Sequence, residues 1–98
     1  MKPHDKFTSL LSKVEEHLNK LDSLIQSLPE DKRSDLEGKH LQMLNRYNKL
    51  KSIASCAVTF NLMSLRELAV VSHEVLSLGK MAKEALKIAM SMQNLNIC

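Results

Sequence analysis

The sequence predicts an all-α fold, a small three-helix bundle built on an antiparallel helical hairpin, with helices over residues 6–28, 31–62 and 65–93. Apolar residues recur at helical spacing along most of the 98-residue chain. Two glycines and two prolines are too few for the many turns of a β-sandwich. With 44% apolar and 26% charged residues, the composition is that of a folded domain. We expect one domain, 1–98, with flexible ends at residues 1–5 and 94–98.

The first helix has the clearest pattern. Its apolar residues alternate at spacings of four and three, which is an a/d repeat held over three heptads. The members of this stripe are Phe7, Leu11, Val14, Leu18, Leu21, Ile25 and Leu28. Pro29 ends the helix, because it lacks an amide hydrogen and disfavours helical backbone at the residue before it. Such a narrow stripe is typical of a helical hairpin, a bundle or a coiled coil with a second chain.

The second helix is expected over residues 31–62. Glu30 and Asp31 suit its first turn, where the helix dipole favours negative charge. Further along, the 14 residues 52–65 contain no charge, and a bilayer span would need about 20 apolar residues. We therefore expect no membrane span and burial of this stretch within the domain or against a partner. Cys56 is predicted to be a small buried apolar residue there.

The third helix is expected over residues 65–93. Ser64 and Glu67 have the spacing of a capping box, which marks a helix start. Whether the second and third helices are separate near residues 61–64 is left open. Apolar residues lie on more than one side of the third helix, and small ones such as Gly79 allow another helix to approach closely. Because two helices of a short chain cover only part of this circumference, we expect the surplus apolar surface to bind a partner or a second copy.

The titratable residues predict no enzyme. The four histidines are far apart in the sequence, and there is neither a Cys-x-x-Cys motif nor a glycine-rich phosphate loop. We expect no metal and no cofactor. The beginning of the chain lacks the pattern of a signal peptide, which favours a cytoplasmic location. Cys98 is expected on a frayed end, where oxidation would join two chains.

The net charge of +3 is spread along the chain rather than collected in a basic tail. The best basic patch and candidate anion-binding site consists of Lys80, Lys83 and Lys87, on or near one face of the third helix. Contacts from this patch to phosphates would give weak, salt-dependent binding of nucleic acid. However, no aromatic residues are interleaved for base stacking, and Glu84 lies among the lysines in sequence. We therefore favour a solvent-exposed face over a nucleic-acid site.

The favoured function is a non-enzymatic protein-binding module, such as a small chaperone, adaptor or inhibitor. It would hold a helical partner against the apolar faces of the second and third helices. Methionines near the C-terminus favour this interpretation, because methionine adapts to irregular partner surfaces. The predicted anchors are Phe60, Leu62, Met63, Leu68, Val71, Val75, Leu78, Met81, Met90 and Met92.

An alternative is a self-assembling structural subunit. A helix, a proline turn, a second helix and an uncharged C-terminal segment are also the plan of filament subunits. In this respect the chain is similar to the needle and rod proteins of type III secretion systems and to the small chaperones that guard them, an analogy of architecture alone. A small basic nucleic-acid-binding protein is the third, less favoured function.

Overall fold

The computed structural model describes the backbone of residues 3–97 and the side chains of residues 4–93, and it confirms the all-α class. The helices of this part of the chain are α1 (Pro3–Gln26), α2 (Glu30–Ala54), α3 (Ala57–Asn61) and α4 (Leu65–Ile97). α1 and α4 therefore extend beyond the predicted bounds of 6 and 93. The flexibility expected at residues 1–5 and 94–98 stays a prediction, and the role expected for Cys98 lies outside the described residues.

The apolar stripe of α1 forms one wall of the core, as its spacing predicts. Every member of the stripe, from Phe7 to Leu28, is at most 5% exposed. Burial of apolar surface contributes about 25 cal/mol per Å², so this continuous stripe is a main source of stability. Leu28 lies two residues beyond the end of α1 and still closes the stripe.

α1 and α2 run antiparallel around the turn at Pro29. His4, near the start of α1, donates from Nε2 to the carbonyl oxygen of Ala54 at the end of α2, at 2.8 Å. His40, near the middle of α2, donates from Nε2 to the carbonyl oxygen of Leu18 at 3.2 Å. These pairs, 50 and 22 positions apart in sequence, fix the register of the hairpin.

The predicted extent of the second helix was wrong. α2 ends at Ala54, and Cys56 has extended backbone with φ −121° and ψ 108° before the five-residue helix α3. The chain turns here so that Phe60 packs against Phe7, with ring centroids 5.0 Å apart, and becomes 1% exposed. This turn leaves the Cys56 thiol exposed, which corrects the prediction that it is buried. A hydrogen bond with the Thr59 side chain lowers the pKa of that thiol.

The predicted capping box begins α4. The Glu67 amide donates to Ser64 Oγ at 3.2 Å, and the Ser64 amide donates to Glu67 Oε1 at 3.3 Å. These reciprocal bonds satisfy amide groups that a helix start leaves without partners. The question left open by the sequence is thereby answered, because α2 and α4 are separate helices joined through α3.

α4 lies parallel to α1. A Cβ at Gly79 would stand 3.6 Å from Val14 Cγ2, and near the other end Gln93 Nε2 donates to Ser27 Oγ at 3.1 Å. Gly79 therefore marks a close approach between the two helices. α1, α2 and α4 each pack against the other two in the manner of a bundle. Three long helices packed in this way leave three outer grooves, each between two of them.

Candidate functional site: the groove between α1 and α4

The predicted partner-binding residues divide into core and surface. Phe60, Val71, Val75 and Leu78 are at most 8% exposed and belong to the core, so in the folded chain they are not available to a partner. Met63, Leu68 and Met92 are half-buried against that core. Leu62, Met81 and Met90 are exposed.

Among residues 4–93, whose side chains the structure describes, most of the large apolar side chains that stay exposed belong to α4. Six of them lie on this helix: Leu65, Val70, Leu76, Met81, Ile88 and Met90. The most exposed is Leu65, at 86%, and Leu76 is 59% exposed. Single exposed apolar residues are ordinary on protein surfaces. They lie on two sides of α4, because Leu65 and Leu76 line the groove with α1 whereas Met81 and Ile88 line the groove with α2. Exposed apolar residues that share one side of a helix indicate a surface that is suited to a partner.

One outer groove runs between α1 and α4 and has an apolar part. This part encloses about 510 Å³ and lies beside α3 and the first turns of α4. Its apolar lining consists of Phe7, Leu10, Phe60, Leu65, Leu68, Ala69 and Leu76. Leu65 and Leu76 form its exposed edge, whereas Phe7 and Phe60 belong to the core beneath it.

The same groove continues into a smaller basic part of about 200 Å³. Leu10 and Leu76 line both parts, so the two parts adjoin each other between α1 and α4. We call the whole surface the α1/α4 groove. The basic part is lined by Lys13, His17, Lys80 and Lys83 above an apolar floor that includes Val14 and Val75. From Leu65 to Lys83 the groove follows α4 for about 27 Å, at about 1.5 Å per residue.

The α1/α4 groove carries charge of one sign. Its charged residues, within the described part of the chain, are Lys6, Lys13, Lys80 and Lys83, and none is acidic. By contrast, Lys39 and Glu84 both line the groove between α2 and α4. In the groove between α1 and α2, Glu15 and Lys51 line one part, and Asp22 and Glu37 line another.

The predicted anion-binding patch is thus only partly assembled. Lys80 and Lys83 lie together in the α1/α4 groove, while Lys87 is exposed on α4 outside its lining. Glu84, which is adjacent to Lys83 in sequence, lines a different groove. Lys13 also belongs to this basic cluster and was not predicted from the sequence. The available signal was its position on α1, where Lys6, Leu10, Lys13 and His17 repeat at spacings of four and three beside the buried stripe.

His17, in the basic part of the groove, has a ring nitrogen without a hydrogen-bond partner among the described residues. The residue is half-buried, and its Nδ1 atom is buried without a hydrogen-bond partner among the described residues. Buried polar atoms are usually paired, because losing water without gaining a partner costs about 1–3 kcal/mol. The basic part of the groove therefore has one buried polar atom without a partner among the described residues.

On the opposite side of α1, Tyr47 and Glu15 join α1 to α2. Tyr47 Oη donates to Glu15 Oε2 at 2.9 Å, and the tyrosine is 6% exposed. Burial, together with the hydrogen bond and the charge of Glu15, raises the pKa of Tyr47 to about 12. The neutral phenol is therefore stabilised in the folded state.

The raised pKa of Tyr47 predicts a loss of stability in strong alkali. Below pH 10.0, the ordinary pKa of tyrosine, the neutral phenol makes its full contribution to the free energy of unfolding. That contribution is lost as the pH rises from 10.0 to about 12. We expect the difference in unfolding free energy between the native protein and Tyr47→Phe to shrink over this range. Because Tyr47 is the only tyrosine, tyrosinate absorbance measures its ionisation directly. A midpoint at the ordinary value in the folded protein would contradict the burial of Tyr47 and its contact with Glu15.

Other classes of site find little support in the described residues. No three side chains among their His, Cys, Asp and Glu lie close enough together to hold a metal ion. Within residues 3–97, no helix combines the length and the apolar character that crossing a membrane requires. No family model matches this sequence, and comparisons with curated proteins and with solved structures give no significant match.

Proposed function

We propose that this protein is a non-enzymatic protein-binding module that holds a helix of another protein in the α1/α4 groove. The observation that carries the proposal is a groove of two adjoining parts, about 27 Å long in all, with an apolar floor and exposed leucines at its edge. A helix placed there would complete a four-helix bundle. A small chaperone, adaptor or inhibitor would use such a surface to cover an apolar helix of its target.

The spacing of the α4 wall supports a helical occupant. Its residues alternate at spacings of four and three, as in the seam of a coiled coil. They are Leu65, Ala69, Ser72, Leu76, Gly79 and Lys83. Ala69 and Ser72 are small, which lets a neighbouring helix approach closely. The α1 wall has the same spacing in Lys6, Leu10, Lys13 and His17, so both walls present seams to one added helix.

The proposal keeps the predicted class of function and changes its surface. The sequence analysis placed the partner against the second and third helices, and the groove proposed here lies between the first and the last. The exposed anchors are Leu65 and Leu76, neither of which was among the predicted partner-binding residues. Met90 follows Lys83 by two turns on the same face of α4 and extends this surface.

Aspartate substitutions in the groove test the proposal. Leu76→Asp and Leu65→Asp should each reduce the amount of partner captured from nuclease-treated lysate at least about tenfold, because burying one leucine contributes about 1.5–3 kcal/mol. Leu41→Asp on α2 is the matched control, since Leu41 is 58% exposed and Leu76 is 59% exposed. Circular dichroism and thermal unfolding should show all three variants folded. Equal capture by Leu76→Asp and Leu41→Asp would contradict the proposal.

Self-association is the competing outcome of the same experiment. If a second copy covers the groove, light scattering will show that the native protein is a dimer or larger and that Leu76→Asp is a monomer. That result would contradict a separate protein partner and support the self-assembling subunit. A monomeric native protein whose capture of another protein depends on Leu76 supports the proposal.

A further inference from the structure

We propose that the helix held in the α1/α4 groove is acidic at the end that lies beside Lys13, Lys80 and Lys83 and apolar at the end that lies beside Leu65. This inference rests on the proposed function and specifies the chemistry of the partner. The occupant is thus an amphipathic helix of uneven character, with its carboxylates concentrated towards one end.

The first argument is the charge of the groove. The described lining contains four lysines and no acidic residue, while the other grooves each contain carboxylates. A cleft lined by one sign of charge concentrates the field and attracts the opposite sign. Charge complementarity between two surfaces raises the association rate and selects against partners of the wrong sign.

The second argument is the cost of covering the lysines. Lys13, Lys80 and Lys83 line the part of the groove whose floor is apolar. A purely apolar helix would remove water from their ammonium groups without replacing it, which is costly. Carboxylates on the partner would offset that cost through charge-assisted hydrogen bonds.

The third argument is the uneven distribution of these features. Three of the four lysines line the basic part, and only Lys6 lines the apolar part. Leu65 and Lys80 are 15 positions apart, which is about 22 Å along α4. The partner helix therefore needs about four turns to reach from its apolar anchor to its acidic residues. A shorter helix would use only one part of the groove.

Three synthetic 18-residue peptides test this inference. All three have the same row of apolar residues along one face. They differ in one half of the sequence, where the positions beside that row are glutamate in the first peptide, glutamine in the second and lysine in the third. Dissociation constants are measured by fluorescence anisotropy at low and at high salt. We expect the glutamate peptide to bind at least tenfold more tightly than the lysine peptide and to lose that advantage at high salt.

Charge reversal in the groove identifies the residues responsible. The double variant Lys13→Glu/Lys83→Glu should reverse the preference so that the lysine peptide binds more tightly. Lys39→Glu, which changes a lysine of the groove between α2 and α4, should leave the preference unchanged. Circular dichroism confirms that each variant is folded before binding is measured.

The outcomes separate this inference from the proposed function. Equal binding of the three peptides, abolished by Leu76→Asp, would leave the proposed function standing and overturn the acidic partner. A preference for glutamate that Lys39→Glu reverses and Lys13→Glu/Lys83→Glu does not would overturn the assignment to this groove. Binding of none of the peptides would overturn both.

Discussion

Replacing Leu78 with alanine is expected to lower the free energy of unfolding by about 2–5 kcal/mol. Leu78 is 0% exposed and lies in the core formed by α1, α2 and α4. Removing its isobutyl group leaves a cavity that a close-packed interior fills only in part. Urea denaturation followed by circular dichroism measures the change.

Leu76→Ala is the matched control for this prediction. Leu76 is two positions away on the same helix and is 59% exposed, so its replacement should change the free energy of unfolding by less than about 0.5 kcal/mol. Both substitutions remove the same atoms from α4, and only the surroundings differ. Equal losses of stability would contradict the assignment of Leu78 to the core and Leu76 to the groove.

Replacing Phe60 with alanine is expected to cost about 3–5 kcal/mol, the range for a buried phenylalanine. The Phe60 ring centroid lies 5.0 Å from that of Phe7 and 5.3 Å from that of His4. α3 has only five residues, too few to be a stable helix without tertiary contacts. Loss of this ring should therefore destabilise α3 together with the end of the bundle. Chemical denaturation measures the global effect, and amide hydrogen exchange at residues 57–61 measures the local one.

Val58→Ala serves as the comparison for Phe60→Ala. Val58 lies on the same short helix and is 70% exposed, so its truncation should cost less than about 0.5 kcal/mol. Phe60→Leu retains most of the apolar volume and should cost less than the alanine variant. If Phe60→Ala were as stable as Val58→Ala, α3 would not be anchored by its aromatic ring.

Much of the fold could be predicted from short stretches of sequence, because each stretch determines a helix or a helix end by itself. The spacing from Phe7 to Leu28 defines one buried face, and Pro29 prevents α1 from continuing past the turn because it lacks an amide hydrogen. Ser64 and Glu67 start α4 through bonds between residues three positions apart. None of these features requires knowledge of the rest of the chain.

The end of α2 was not predictable in the same way. No glycine or proline lies near residue 55, and the helical spacing of apolar residues continues past it. The break is followed by a turn that brings Phe60 against Phe7, a contact between residues 53 positions apart. A tertiary contact therefore overrides local helix propensity here.

The sequence predicted an apolar partner-binding surface on α4 but not the side of α4 on which it lies. The sequence indicated that α4 has neighbouring apolar stripes, and it did not show which of them faces the core. Val75 and Leu78 point inwards and Leu76 outwards because α1 and α2 pack on that side. Lys13 joins Lys80 and Lys83 only when α1 and α4 lie parallel and in register, which depends on the whole bundle.

The most direct test of the central claim is site-specific photo-cross-linking in lysate of the source organism. A photoreactive amino acid is placed either at position 76, in the α1/α4 groove, or at position 41, on α2. The account predicts an adduct with another protein from position 76 and none from position 41, and the adduct should be lost when Leu65→Asp is added. An adduct from position 41 alone, or adducts of equal yield from both positions, would contradict the α1/α4 groove as the partner-binding surface.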